Sequence, residues 1–152
     1  MKKLSLLVIA VLCALASQAQ EVSQSPQFKV ITVVESIVPG GLGRSRMIEN
    51  QSEIDIDDFT TERTDGKKSN QGDVKRSDAK VDEFAESKLL NFYSMTGINF
   101  QNIASNDALV SSKLNKMAEE GWDLVFVTSA VESDSGKGDG NGIYITRYIF
   151  KK

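Results

Sequence analysis

The sequence predicts an α+β fold in which a small antiparallel sheet is covered on one face by a single main helix, giving two layers. Segments rich in β-branched residues lie at residues 28–38, 122–131 and 143–150, and such residues prefer the pleated backbone. Between them, residues 107–120 repeat apolar side chains at helical spacing. The order strand, insertion, helix, strand, strand suits a sheet with one helix packed on it.

The first 19 residues are predicted to be a removable export signal. A basic pair at residues 2–3 precedes an apolar run at residues 4–16, and Ser17 and Ala19 supply small residues at the −3 and −1 positions of a cleavage site. A membrane-spanning helix needs about 17–25 apolar residues, and this run is shorter. We therefore expect an exported protein, periplasmic or extracellular, with no membrane anchor after cleavage.

The composition excludes several classes of site. The chain has no His and a single Cys, Cys13, which lies within the expected signal. His and Cys are the usual ligands of zinc and the usual partners in nucleophilic and redox catalysis. No catalytic residue, metal ligand or cofactor is therefore assigned. Lipidation of Cys13 is the alternative for the N-terminus, but Leu12 is bulkier than the residue expected before a lipidated cysteine.

Charge limits the classes of partner that the protein can bind, and length limits the number of domains. The formal net charge is −3, and it becomes more negative when the two lysines of the signal are removed. Since a negative surface repels phosphate backbones, no nucleic-acid binding is expected. The length fits a single domain, which we place at residues 28–152 after a flexible leader at residues 20–27.

The first half of this domain is predicted to contain two strands and a long insertion. Residues 28–38 form the first strand, which ends at a turn of proline and glycine, and residues 45–49 form a shorter second one. Residues 50–83 are charged and poor in apolar side chains, which indicates a solvated insertion with local order at most. Residues 84–100 are ambiguous between strand and short helix, with a break at Gly97.

The clearest predicted element is the helix at residues 107–120. Asn106 is its predicted N-cap, and Gly121 suits the left-handed position after the last turn. A contact from Trp122 back to the helix would complete this end, which indicates a structural role for the tryptophan. The apolar face of the helix carries Val110, Leu114, Met117 and Ala118.

The last two strands, at residues 122–131 and 143–150, are joined by a short connection and are predicted to be antiparallel neighbours. Alternation gives the final strand two largely apolar faces. Either this strand is central and buried on both sides, or its second face meets a partner or the insertion. One face carries Tyr144, Tyr148 and Phe150, and the other carries Ile143, Ile145, Arg147 and Ile149.

Short motifs give the C-terminal third a resemblance to known proteins. The chain reads LN at residues 114–115, EGWDLV at residues 120–125 and YIFKK at residues 148–152, and FKV opens the first strand. It thereby resembles a family of small bacterial domains of unknown function, in which these places read LN, EGWELV, YIFKR and YKV. Asp123 replaces the usual Glu.

This resemblance covers residues 28–38 and 108–152 and leaves residues 39–107 uncovered. The chain therefore looks like an exported variant with a large insertion, and a signal that ends in Ala-Gln looks like those of the Bacteroidota. The family implies no reaction and no catalytic residues, so none is carried over.

A glycine-rich loop is the candidate ligand site, formed by Gly40, Gly41, Gly43, Arg44 and Arg46. Free backbone N–H groups of a glycine turn can donate hydrogen bonds to an anion, and arginines bind carboxylates or phosphates with bidentate hydrogen bonds. The loop is neither a dinucleotide fingerprint nor a P-loop, because Arg46 stands at the third glycine position and GK[ST] is missing. A tight turn with solvated arginines is the alternative.

An acidic cluster is the second candidate and contains Glu53, Asp55, Asp57 and Asp58. Carboxylates at alternate positions of a strand share one face, where a hard cation would relieve their repulsion. A solvated acidic surface is the alternative.

These observations favour a non-catalytic binding or interaction module that acts through surface contact, with an unknown protein partner or as a homo-oligomer. Two other functions stay open. One is a periplasmic anion or small-ligand binding protein that uses the glycine-rich loop, and the other is a carboxylate- or cation-dependent hydrolase built from the acidic cluster.

Overall fold

The structure is a computed structural model and describes residues 25–37, 45–132 and 142–152. Seven strands, β1 to β7 in chain order, and one helix, α1, make up the described fold, with two 3₁₀ turns between β2 and β3. Their bounds are β1 Phe28–Ser36, β2 Arg46–Asn50, the turns Ile56–Phe59 and Gln71–Asp73, β3 Phe84–Lys88, β4 Tyr93–Ser94, β5 Gly97–Ile98, α1 Phe100–Glu119, β6 Asp123–Val131 and β7 Ile143–Lys151.

Five of the strands form one antiparallel sheet in the order β3-β2-β1-β7-β6. Strand β1 lies against β7 along nine residue pairs, from Phe28 opposite Lys151 to Ser36 opposite Ile143. The first and last strands of the fold are therefore neighbours inside the sheet. The predicted α+β architecture, an antiparallel sheet with one main helix, is confirmed, as is the antiparallel pairing of the last two strands.

The core lies between the sheet and α1, on the side of the sheet that we call the helix face. Alternation and register place Ile31 and Val33 of β1 on this face together with Phe150 of β7. Helix α1 covers them with Met117, which is fully buried, and with Val110 and Leu114. The buried apolar residues are Ile31, Val33, Met47, Leu89, Met117 and Phe150.

The start of α1 differs from the prediction by seven residues. The helix begins at Phe100, and its N-cap is Asn99, whose side chain accepts a hydrogen bond from the backbone N–H of Asn102. Asn106 as N-cap was wrong, since it lies inside the helix and is buried. Ile103 lies seven residues before Val110 on the same face, but Asn106 stands between them on that face and interrupts the apolar periodicity. Ala118, predicted on the apolar face, is exposed.

The C-terminal end of α1 follows the prediction. Gly121 has a φ of +80°, its N–H donates to the carbonyl of Ala118, and the N–H of Trp122 donates to the carbonyl of Met117, both at 2.9 Å. These two bonds are the Schellman arrangement. Trp122 packs against the core, as its structural role requires.

The segment between β2 and β3 forms two short 3₁₀ turns, neither of which contains a buried residue. Residues 84–100, ambiguous in the sequence, divide into β3, the small β4–β5 hairpin and the first residue of α1. Gly97 marks the hairpin with a φ of +121°. Within the described part of the chain, no helix is long and apolar enough to cross a membrane.

Candidate interaction surface

Four residues of the glycine-rich loop, Gly40, Gly41, Gly43 and Arg44, lie outside the described residues. The fifth, Arg46, opens β2, where its Nη1 donates to the carbonyl of Ser45 at 3.0 Å and its Nε lies 3.9 Å from Oε2 of Glu86. The guanidinium therefore has partners within the sheet. An anion site at this loop stays a prediction.

The acidic cluster borders an open depression of about 380 Å³. The strand alternation expected for it was wrong, because residues Ile56–Phe59 form a 3₁₀ turn capped by Asp55, which accepts from the N–H of Asp57 at 3.0 Å. Among the described residues, no three acidic side chains converge closely enough to hold a metal ion. The acidic residues at the depression are Glu53, Asp55, Asp58, Asp78, Asp82 and Glu83.

A buried amide joins the helix to the sheet at one end of the core. The Oδ1 of Asn106 accepts from the N–H of Leu90 at 2.8 Å, while its Nδ2 donates to the carbonyl of Leu90 at 2.8 Å and to Oε1 of Glu35 at 2.9 Å. These bonds fix the segment after β3 against α1. Asn106 thus has a structural role in place of the predicted cap.

Titration of the groups around this amide is shifted by burial. Burial raises the pKa of Glu35 above its ordinary value, the hydrogen bond from Asn106 opposes that rise, and the charge of Asp107 adds to it. The pKa of Tyr148 is raised by burial and then by the charges of Glu35 and Asp107. All buried side-chain polar atoms of the described residues have hydrogen-bond partners.

A second polar group ties α1 to the middle of the sheet. Glu49 on β2 accepts from Nζ of Lys113 on α1 at 2.6 Å and from Nζ of Lys29 on β1 at 3.1 Å. Burial pushes the pKa of Glu49 upward, but the hydrogen bonds and charges of the two lysines outweigh it and the pKa is lowered. The Nζ of Lys29 also lies 5.2 Å from the centre of the Trp122 ring, a cation–π contact.

The other side of the sheet, which we call the outer face, carries two apolar rows across β1, β7 and β6, with a polar row of Thr32, Arg147 and Thr128 between them. Alternation and register place Val30, Thr32 and Val34 of β1, Ile145, Arg147 and Ile149 of β7, and Phe126, Thr128 and Ala130 of β6 on this face. None of these residues is buried, and Phe126 and Val30 are 59% and 42% exposed. A one-sided antiparallel sheet usually turns polar residues to solvent, so this face departs from the pattern.

Strand β6 is the most exposed apolar segment of the sheet. It forms an edge of the sheet, and all nine of its residues are exposed, on the helix face as well as on the outer face. Helix α1 therefore leaves the residues of β6 exposed on the helix face. Its large side chains, Leu124, Val125, Phe126, Val127 and Val131, are between 45% and 59% exposed. Contiguous exposed apolar surface marks interaction sites.

Comparison with known protein families, curated proteins and solved structures finds no match to this chain.

The sequence pointed to only part of this surface. The two apolar faces of β7 were visible as an alternation, and the alternative in which its second face stays open to a partner agrees with the partial exposure of Ile145 and Ile149. The position of β6 at the edge was not foreseen. A continuous apolar run such as LVFV is typical of a strand buried on both faces, and only the strand order shows that β6 has no outer neighbour among the described residues.

Proposed function

We propose that this protein is an exported, non-catalytic interaction module that binds a protein partner through the outer face of its sheet. The observation that carries the proposal is the exposed apolar surface along β1, β7 and β6. The N-terminal signal pattern supports export.

Physical chemistry favours occupation of this face by a partner. Val30 and Phe126 retain about half of their accessible surface, and neighbouring apolar positions extend the surface across three strands. Each apolar Å² removed from water contributes roughly 25 cal/mol. Arg46 and Glu86, which lie side by side at the far end of the outer face, give the apolar surface a charged border, as rims of interfaces commonly have.

The test is site-specific photo-cross-linking in cells that express the full chain. A photoreactive amino acid replaces Thr32, at the centre of the outer face, or Ser112, an exposed serine of α1. We expect Thr32 to give a discrete adduct with one protein, identified by mass spectrometry, and Ser112 to give none.

A second variant shows whether the adduct depends on the apolar surface. Val30→Lys, next but one to the probe on β1, is expected to abolish the Thr32 adduct while the circular dichroism spectrum stays unchanged. Absence of any adduct at Thr32, or equal labelling from both positions, would overturn the proposed function.

A further inference from the structure

We infer that β6 pairs antiparallel with β6 of a second copy of this chain, and that the two sheets join into one sheet of ten strands. The inference goes beyond the proposed function, because it concerns the strand edge instead of the outer face and names a second copy of the chain as the partner. Its basis is the backbone of β6, the lack of charge along it, and the exposure of its side chains.

The backbone of β6 offers hydrogen-bonding groups at its free edge. In an antiparallel pair, residues point their N–H and C=O groups alternately toward and away from the partner. The N–H of Glu132 donates to the carbonyl of Ile143 at 3.0 Å, so residues 126, 128 and 130 also point toward β7. It follows that Val127, Ser129 and Val131 turn their N–H and C=O groups to the free edge.

These three residues can pair with the same three residues of a second copy. When Ser129 faces Ser129 of the second copy across a two-fold axis, Val127 of each copy faces Val131 of the other. All three positions then form hydrogen-bonded pairs. The axis runs perpendicular to the sheet, so both helices lie on the same side and the two outer faces become continuous.

Charge distinguishes this edge from the opposite one. Natural edge strands are commonly protected by charged residues, and β3 carries Glu86 and Lys88 within five residues. In β6 the only charged residue is Asp123 at its first position, and the irregular pairing between Leu124 and Phe126 disturbs only that end. From Phe126 to Val131 no like charges meet across the two-fold axis.

The exposed apolar area of β6 indicates how tightly the two copies can bind. The five large apolar side chains of β6 expose on the order of 400 Å² per copy, and edge pairing buries only part of it, against about 800 Å² per partner in a standard interface. We therefore expect a weak, reversible dimer.

Analytical ultracentrifugation of the protein purified from cells that express the full chain measures this equilibrium. We expect a monomer–dimer equilibrium between about 1 and 500 μM. The double variant Val127→Lys, Val131→Lys places lysines opposite lysines twice, and we expect the dissociation constant to rise at least about 100-fold. Phe84→Lys on the other edge strand is the matched control, since Phe84 and Val127 are 45% and 46% exposed, and it leaves the dimer intact.

Thiol cross-linking tests the register of the β6–β6 pair, and it does not depend on whether the lysine double variant folds. In a Cys13→Ser background, Ser129→Cys is expected to give a covalent dimer with a short bismaleimide, whereas Ser87→Cys on β3 gives none. A protein that stays monomeric up to 500 μM overturns the inference, and so does a dimer that links through Ser87→Cys.

The outcomes separate this inference from the proposed function. A dimer that is lost in Val30→Lys and kept in the lysine double variant indicates packing of two outer faces, which overturns the edge pairing but keeps the outer face as a binding surface. A monomer that still gives the Thr32 adduct with another protein has the same consequence. A dimer without any Thr32 adduct supports edge pairing alone.

Discussion

At the residue scale, Asn106 shows how one buried amide holds two layers together. Its side chain is fully buried and bonds to Leu90 twice and to Glu35 once. Asn106→Ala removes all three bonds, each of which contributes about 0.5–1.5 kcal/mol, and leaves the N–H of Leu90 without this partner. We expect urea denaturation to show a loss of about 2–4 kcal/mol in the free energy of unfolding.

The matched control is Asn115→Ala on the exposed side of the same helix. Exposed substitutions of this kind change stability by at most about 0.5 kcal/mol. Equal losses in the two variants would contradict the clamp that we assign to Asn106.

Two carboxylates are expected to respond to pH in opposite directions. The pKa of Glu49 is lowered from its ordinary 4.5 by its lysine partners, so its contribution to stability is complete above pH 4.5 and is lost as the pH falls through the lower folded value. We expect Glu49→Gln to cost about 1–2 kcal/mol at pH 7. The difference from the parent protein should close in thermal unfolding scans below pH 4.5.

Glu35 is the opposite case. Its pKa in the folded protein is raised above 4.5, first by burial, so the folded state is penalised as the pH rises through that range. Glu35→Gln keeps an oxygen that accepts from Asn106 and removes the charge. We expect this variant to melt higher than the parent protein at pH 7 and at the same temperature below pH 4.5, and a lower melting temperature at pH 7 would contradict the assignment.

At the element scale, the two ends of α1 were predictable to different degrees. The C-terminal end is encoded locally, because glycine is the residue that adopts positive φ readily and Gly121 directly follows the apolar periodicity. The N-terminal end depends on tertiary contacts. Asn102 donates its Nδ2–H to the carbonyl of Asn91 at 2.8 Å, and such polar anchoring leaves no apolar pattern in the sequence.

The end of α1 gives a testable substitution. Gly121→Ala must adopt a φ of +80°, while the added Cβ meets only the end of the Lys152 side chain at 3.6 Å. The expected cost is therefore conformational, about 1–2 kcal/mol. Gly72→Ala, where φ is not positive and the Cβ would have open space, is the control and should be neutral or slightly stabilising in the same thermal scan.

The strands show the same division between local and tertiary information. Alternation and β-branched content located β1, β2, β6 and β7 to within two residues in the described chain. Strand order follows from which edges meet in space, which no local pattern encodes. The candidate surface could therefore be predicted only in part. The sequence indicated the two apolar faces of β7, but it did not indicate that β6 lies at an edge of the described sheet.

At the scale of the whole molecule, the two sides of the sheet differ in what they contribute to stability. Phe150 is 1% exposed on the helix face and Phe126 is 59% exposed on the outer face. We expect Phe150→Ala to cost about 3–5 kcal/mol, and Phe126→Ala to cost less than about 1.5 kcal/mol. Chemical denaturation of the two variants measures both, and similar losses would mean that the outer face is part of the folding core.

The pairing of β1 with β7 also affects the order in which the strands can join into the sheet. Because β7 lies between β1 and β6, β6 cannot join the rest of the sheet until residues 143–151 have been synthesised. The paired residues of β1 and β7 lie more than 100 residues apart in the chain, and contacts of such high sequence separation slow folding. A variant that ends at residue 142 would therefore lack β7 and leave β6 separated from β1, so we expect it not to form the described sheet.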